Sequence, residues 1–259
     1  MMYSSIAFRF VLAAALSAAT SATMLRGTSP ITNTADTPVE SLVDAQSRGL
    51  GLLQSYEEAD VTKGLAVHGG VGVTFTRPSS TVKSGNVCGQ TFFTGDSTPG
   101  DYDLLNGEAY QGGCPASDLI ELRANAMNIT AMPLLTGALG GQSFTAGTYY
   151  AVSALAVDSN TNVTLIGGPN DIFLFQSGSY MITGANTHFI LEKAEGAAGP
   201  PHAKNILFAL AGYSTTGFET TLEGSILAGA AITHGAGSAV SGYVLATAAM
   251  TVGVGCYVN

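Results

Sequence analysis

Leu222-Glu-Gly-Ser-Ile-Leu-Ala-Gly-Ala-Ala-Ile-Thr-His-Gly-Ala-Gly237 is followed by Val240-Ser-Gly-Tyr-Val-Leu-Ala-Thr-Ala-Ala-Met-Thr-Val-Gly-Val-Gly255, and the second lies over the first with a shift of 18 residues and no gap. Under that shift Gly224 meets Gly242, Ile226 meets Val244, Leu227 meets Leu245, Ala228 meets Ala246, Thr233 meets Thr251, and Gly235 and Gly237 meet Gly253 and Gly255. A unit this short, rich in β-branched residues and punctuated by glycine, cannot bury its apolar side alone. Stacked on a neighbour it can, so the pair reads as two successive coils of a β-solenoid.

The chain has 259 residues, enough for one large domain or two small ones. Residues 1–22 read as a secretory signal: Arg9 precedes an apolar run from Phe10 to Ala19, and Thr20, Ser21 and Ala22 supply small residues for cleavage. That run falls short of the ~20 residues that cross a bilayer, so a secreted, extracellular protein with no membrane partner is expected. Charged residues make up 10% of the chain, where about a quarter is usual. Thr, Ser, Ala and Gly must therefore face the solvent. A net charge of −9 argues against nucleic acid or an anionic membrane, because both call for a basic patch. Three cysteines, Cys88, Cys114 and Cys256, suit a secreted chain with one disulfide and one thiol. Cys88 with Cys114 is the expected disulfide, since both lie in one Gly-rich segment, and closing that loop stabilises the fold by about 3 kcal/mol in the chain-entropy account.

Residues 23–41 are rich in Thr, Ser, Pro and Asn without periodicity and read as a flexible leader, which leaves 42–259 as the folded domain. Gly64-Leu-Ala-Val-His-Gly-Gly-Val-Gly-Val-Thr-Phe75 has the composition of a strand pair and is expected to supply early coils; residues 77–113 read as irregular coils or a capping insertion. The period then changes. Leu119, Leu122, Ala126 and Ile129 are spaced by three and four, one apolar helix stripe. Asp118 and Glu121 form a capping box after Pro115, and Pro133 ends the run, so a helix over about 117–132 is expected with its stripe against a side of the solenoid. From Gly140 onward strands return. In Val163-Thr-Leu165, Ile182-Thr-Gly184, Ile232-Thr-His234 and Met250-Thr-Val252 the alternation places the apolar residues inside and the threonines outside.

Reactive chemistry finds little support. His68, His188, His202 and His234 show no metal-ligand spacing and read as surface or loop residues, so no metal and no cofactor is expected. The Gly95–Gly100 and Gly141–Gly147 segments lack the Gly-x-Ser-x-Gly spacing of a nucleophile elbow, and Gly69-Gly-Val-Gly72 lacks a following helix. Asp101, Asp103 and Glu108, like Glu219 and Glu223, could be paired carboxylates for glycoside hydrolysis. Their neighbours are turn residues with no Arg or Lys clamp, so a binding protein is expected rather than an enzyme. Asn128-Ile-Thr130 and Asn162-Val-Thr164 match the N-glycosylation pattern, which is common by chance.

Gly147-Thr-Tyr-Tyr-Ala-Val-Ser153, Gly168-Pro-Asn-Asp-Ile-Phe-Leu-Phe-Gln176, Asn205-Ile-Leu-Phe208, the two 222–255 coils and the helix before them resemble, in order and spacing, the widespread microbial ice-binding (antifreeze) family over residues 115–258. The resemblance implies a mostly β fold, an irregular right-handed β-solenoid (β-helix) of triangular cross-section with one long α-helix packed along it and one flat face that binds ice. Residues 23–113 match weakly, and Tyr243 stands where the family usually keeps an Arg.

An ice surface is a physically reasonable partner. Stacked coils repeat at about 4.7–4.9 Å, so outward residues form a regular array. A Thr on that array offers a hydroxyl to anchor water and a methyl group that orders its neighbours. One candidate line holds Thr183, Thr233 and Thr251 with Ala156, Ala231 and Ala249 beside them, and Thr183-Gly-Ala-Asn186 adds Asn186. A second holds Thr164, Thr187, Thr221, Ser241 and Thr247, interrupted by Glu223 and Tyr243. The first is the preferred ice-binding line, on a chain expected to act as a monomer that restrains ice growth and recrystallisation. A polysaccharide-binding or polysaccharide-degrading solenoid and an extracellular adhesive protein are the alternatives.

Overall fold

The 18-residue shift is the register of the structure: Leu222 pairs with Val240, Ile226 with Val244, Leu227 with Leu245, Ile232 with Met250 and Thr233 with Thr251. The computed structural model describes residues 119–134 and 136–258 in full and, between 65 and 118, the backbone of seven strands and the start of a helix. The expected signal segment, the leader and the Cys88–Cys114 pairing lie outside the described residues.

The early strands are β1 (Leu65–Gly69), β2 (Gly72–Thr76), β3 (Ser80–Val82), β4 (Asn86–Cys88), β5 (Thr91–Thr94), β6 (Tyr102–Leu104) and β7 (Ala109–Tyr110), followed by helix α1 (Ser117–Met127). After it come β8 (Met132–Pro133), β9 (Ser143–Thr145), β10 (Gly147–Ala151), β11 (Leu155–Val157), β12 (Asn162–Gly167), β13 (Phe173–Ser177), β14 (Met181–Thr183) and β15 (His188–Lys193). The remainder is β16 (Ile206–Leu210), β17 (Ser214–Thr216), β18 (Thr221–Glu223), β19 (Ser225–Ala228), β20 (Ile232–His234), β21 (Ala239–Ser241), β22 (Val244–Ala246), β23 (Ala249–Val252) and β24 (Tyr257–Val258). Each complete coil gives one strand to each of three parallel sheets, of nine, seven and eight strands because the coils holding β7 and β8–β9 are incomplete, and the sheets wall a shared core.

Chain order and stacking order differ. In the nine-stranded sheet the order is β7-β4-β1-β22-β19-β16-β13-β10-β8. The first coils therefore stack beyond the last ones, through β1 on β22, β2 on β23 and β3 on β24. Between β7 and β8 the chain must return along that sheet, and α1 lies on the way, against β13, β16 and β19. Its stripe is the expected one. Leu119, Ala126 and Ile129 are buried with Leu174, Leu207, Ala209, Leu227 and Leu245 of the sheet, and Leu122 packs beside them. Burying a leucine such as Leu119 contributes roughly 1.5–3 kcal/mol.

The helix stops at Met127, short of the expected 132. The buried Gln176 amide donates to the carbonyls of Ala126 (2.7 Å) and Ile129 (2.8 Å), satisfying orphan acceptors at the helix end. Pro133 also pushes Met132 toward extended geometry, and both residues pair with β10 as an edge strand.

Coil length sets what fills the core. Gly147 pairs with Phe173 and Phe173 with Ile206, whereas later coils advance by 18 residues. The long coils carry a stacked column, Tyr149 on Phe175 on Phe208, with centroids 5.2 Å apart at each step. In the short coils Ile226 and Val244 continue the same column. A wider cross-section needs larger side chains to reach native packing density.

Corners make the stack possible. A Cβ on Gly217 would lie 2.3 Å from the Gly184 carbonyl oxygen of the coil below, whereas one on Gly141, at φ 75°, would meet nothing within 4 Å. Gly217→Ala should lower stability by about 3 kcal/mol through that backbone overlap. Gly141→Ala should cost only about 1 kcal/mol, from its left-handed backbone. Urea unfolding of the two variants checks the order.

Candidate functional site

The three sheets present different outer surfaces. The nine-stranded sheet is covered by α1 over its central strands. The eight-stranded sheet carries Glu192, Lys193, Glu223 and exposed Ile190, His188 and Tyr257 on or beside its outer rows. In the seven-stranded sheet, order β11-β14-β17-β20-β23-β2-β5, no strand contains Asp, Glu, Lys or Arg.

Parallel register turns that sheet into an ordered surface. Ala156 pairs with Ile182, Ile182 with Thr215, Thr215 with Thr233 and Thr233 with Thr251, one outward row at the coil spacing. Thr233 is exposed, Thr215 and Thr251 are half-buried, and their strand neighbours Ile232, His234, Met250 and Val252 face the core. Ala231 and Ala249 flank the row on one side. Gly217, Gly235 and Gly253 flank it on the other, each against backbone of the preceding coil, with the exposed Phe218 just beyond Gly217. Toward the longer coils the relief rises: Ile182 is exposed, and Tyr180 and Tyr213 stack with centroids 4.7 Å apart.

Of the expected line, the structure brings Ala156, Ala231, Ala249, Thr233 and Thr251 to this one face. Thr183 is not with them. The phase of β14 is the reverse of the expected one: Met181 and Thr183 are buried and Ile182 points out. Thr187 is also fully buried. Both belong to a polar seam inside the corner between the seven- and eight-stranded sheets. Thr220 Oγ1 lies 3.1 Å from the hydroxyls of Thr183 and of Thr187, and Thr183 accepts the Gly217 amide at 3.1 Å. A turn buried away from water must satisfy its backbone groups, and inward threonines do so. Asn186 is exposed on the outside of this corner at φ 53°, and its amide donates to Asn160 Oδ1 at 3.2 Å.

The second line separates. Thr164 stands half-buried on the eight-stranded sheet, Thr221 and Ser241 fall in different rows of it, and Thr247 follows β22 at another corner. Thr215 joins the row although it lies outside the two matching coils, a further step of 18 back from Thr233.

His188 and His202 are exposed as expected, but His234 is buried in β20. Its Nδ1 lies 2.9 Å from Thr216 Oγ1 and its Nε2 has no partner. Desolvation lowers its pKa to about 4. Burial raises the half-buried Glu223 carboxyl, against a smaller lowering by its Ser241 hydrogen bond. Cys256 is a free, buried thiol beside Ser238 Oγ at 3.4 Å.

The fold defines a parallel β-solenoid with a helix packed on one sheet and, on another, strands without charge that step at the coil spacing. The chain belongs to the ice-binding-like family, which it matches over residues 62–254. The match thus takes in the early strands that the sequence placed least well. It is 31% identical over 173 residues, 64% of its length, to an ice-binding protein of Nostoc sp. (strain HG1), and spans 60% of that relative. With an ice-binding protein of Flavobacterium frigoris (strain PS1) it is 31% identical over 104 residues, 40% of this chain and 35% of the relative. Among solved structures, an ice-binding protein from an Antarctic biological consortium superposes with a TM-score of 0.65 at 22% identity, covering 90% of this chain and 95% of the other. A glycosylated ice-binding protein from an Arctic yeast gives 0.63 at 20% identity, covering 77% and 92%. At these identities the structures show the shared fold.

Between pH 6.5 and about 4 an unfolded His234 binds a proton that the folded one refuses. Stability should therefore fall as pH drops through that window, by on the order of 3 kcal/mol. Glu223, raised when folded, acts with the opposite sign, losing stability as pH rises through its folded value. Melting temperatures from pH 7 to 4 should show the fall, and His234→Leu should flatten it.

Proposed function

We propose that this chain is a secreted, monomeric, non-enzymatic ice-binding protein that adsorbs to ice through the outer face of its seven-stranded sheet. The row Thr215, Thr233 and Thr251, on strands without charge and at a constant spacing, carries the proposal. Each threonine supplies a hydroxyl that accepts and donates to water and a methyl group around which water orders. Ala231, Ala249, Gly235 and Gly253 leave the surface flat beside Thr233 and Thr251, so these coils contact a plane together, while Tyr213 stands beside Thr215. A strongly hydrated ion among them would hold water in an orientation foreign to the lattice. The family membership supports the partner, and the relief of the three surfaces supports the choice of face.

Contact with a plane is sensitive to projections: a gap of only about 0.5–1 Å already forfeits a quarter to a half of each dispersion contact. Thr233→Tyr and Thr251→Tyr should each lower thermal hysteresis sharply with circular dichroism unchanged. Thr164→Tyr, on the eight-stranded sheet, should leave it at the wild-type value. Wild-type hysteresis in both face variants would overturn the assignment. Ile182→Thr extends the threonine row by one coil and should raise hysteresis, a gain that mere disturbance of the surface does not produce.

A further inference from the structure

We infer that the ice-contacting row is completed from the other end of the chain, by Thr74 of β2, an inference that rests on the ice-binding reading of the seven-stranded sheet. Strand β2 continues the sheet directly past β23, with Gly72 paired to Ala249, Val73 to Met250, Thr74 to Thr251 and Phe75 to Val252. Residues in register in a parallel ladder share a face, since the pleat alternates identically in both strands. Thr74 therefore holds the row position of Thr251, and Gly72 holds that of Ala249, continuing the small residues Ala231 and Ala249 of the flanking row past Tyr213. The run becomes Thr215, Thr233, Thr251, Thr74, about 14 Å from first to last at the coil spacing. Bulky residues bound it at both ends, Ile182 at the register position before Thr215 and Phe92 at the one after Thr74.

Thr74 and Thr251 are 177 residues apart in sequence, so this row is assembled from two segments that meet only when β1, β2 and β3 pair with β22, β23 and β24. The early coils then do more than close the end of the stack. They supply the fourth repeat of a surface whose hold on a lattice accumulates over repeats, and they lengthen the ordered array by one coil without any change in the other three.

Thermal hysteresis of the purified full chain tests this with Thr74→Tyr, the smaller change Thr74→Ser, and Thr81→Tyr as control. Thr81 occupies the register position of Tyr257 on the eight-stranded sheet. Thr74→Tyr should reduce hysteresis to about half or less, because the ring lifts its neighbours from the plane. Thr74→Ser, without the methyl group, should reduce it by a smaller amount, and Thr81→Tyr should not change it, with melting temperatures of all three near wild type. Full hysteresis in both Thr74 variants while Thr233→Tyr is impaired would overturn the inference and leave the face standing. Full hysteresis in Thr74→Tyr, Thr233→Tyr and Thr251→Tyr together would overturn the face reading and this inference with it.

Discussion

Everything in this fold depends on the parallel backbone ladder that fixes one coil above the next. Its spacing, about 4.7–4.9 Å, is imposed by hydrogen bonding and is the same on all three sheets, whatever their side chains. The cost appears at the corners, where the backbone turns and leaves no room for a Cβ. Gly217, Gly235 and Gly253 each press on backbone of the preceding coil. That contact is also why the edge of the seven-stranded sheet is flat, so the steric demand of stacking and the smoothness of the outer face have one cause.

Inside, the coils differ while their spacing stays constant. The longer coils that hold β10, β13 and β16 place Tyr149, Phe175 and Phe208 in the core where the 18-residue coils place only Ile226 and Val244. At the corner the turning backbone needs partners, so the interior there is polar: Thr183, Thr187, Thr216, Thr220, His234 and Ser238 are all buried. The result separates two uses of one residue type. Thr183 and Thr220, turned inward, satisfy backbone groups of the turns, while Thr215, Thr233 and Thr251 point outward from their strands.

How much of this could be read from the chain follows from where the repeat is regular. The 18-residue shift gave the register of three strand pairs and the outward phase of Thr233 and Thr251, because equal coils force equal phases. The helix stripe was equally legible, since Leu119, Ala126 and Ile129 obey a period that no strand shares. Phase was lost at β14, in a coil of a different length, where Met181-Ile-Thr183 alternates convincingly in either direction and only the seam around Thr220 decides between them. His234 departs from expectation for another reason: its residue type suggests surface, but its place one residue after the outward Thr233 dictates core. No local pattern could reveal that β2 follows β23, because that neighbour relation joins distant segments and is set by the return of the chain across the nine-stranded sheet.

The helix gives that return a second consequence. A chain that starts in the middle of the stack, builds to one end and resumes from the other must carry a connection along one sheet, and the connection covers that sheet's outer rows with apolar contacts. Leu174, Leu207, Leu227 and Leu245 can therefore be leucine on both counts, sheet-forming and buried, without leaving an apolar surface exposed to solvent. Of the two sheets left open, one tolerates charge and bulk because nothing constrains its rows to be alike. The other alternates Thr with core residues over the coils of equal length, flanked by alanine and glycine at Thr233 and Thr251. Among the described residues, regular coils, small corner residues and strands without charge coincide on that sheet, which is the ground for proposing it as the surface that meets a periodic solid.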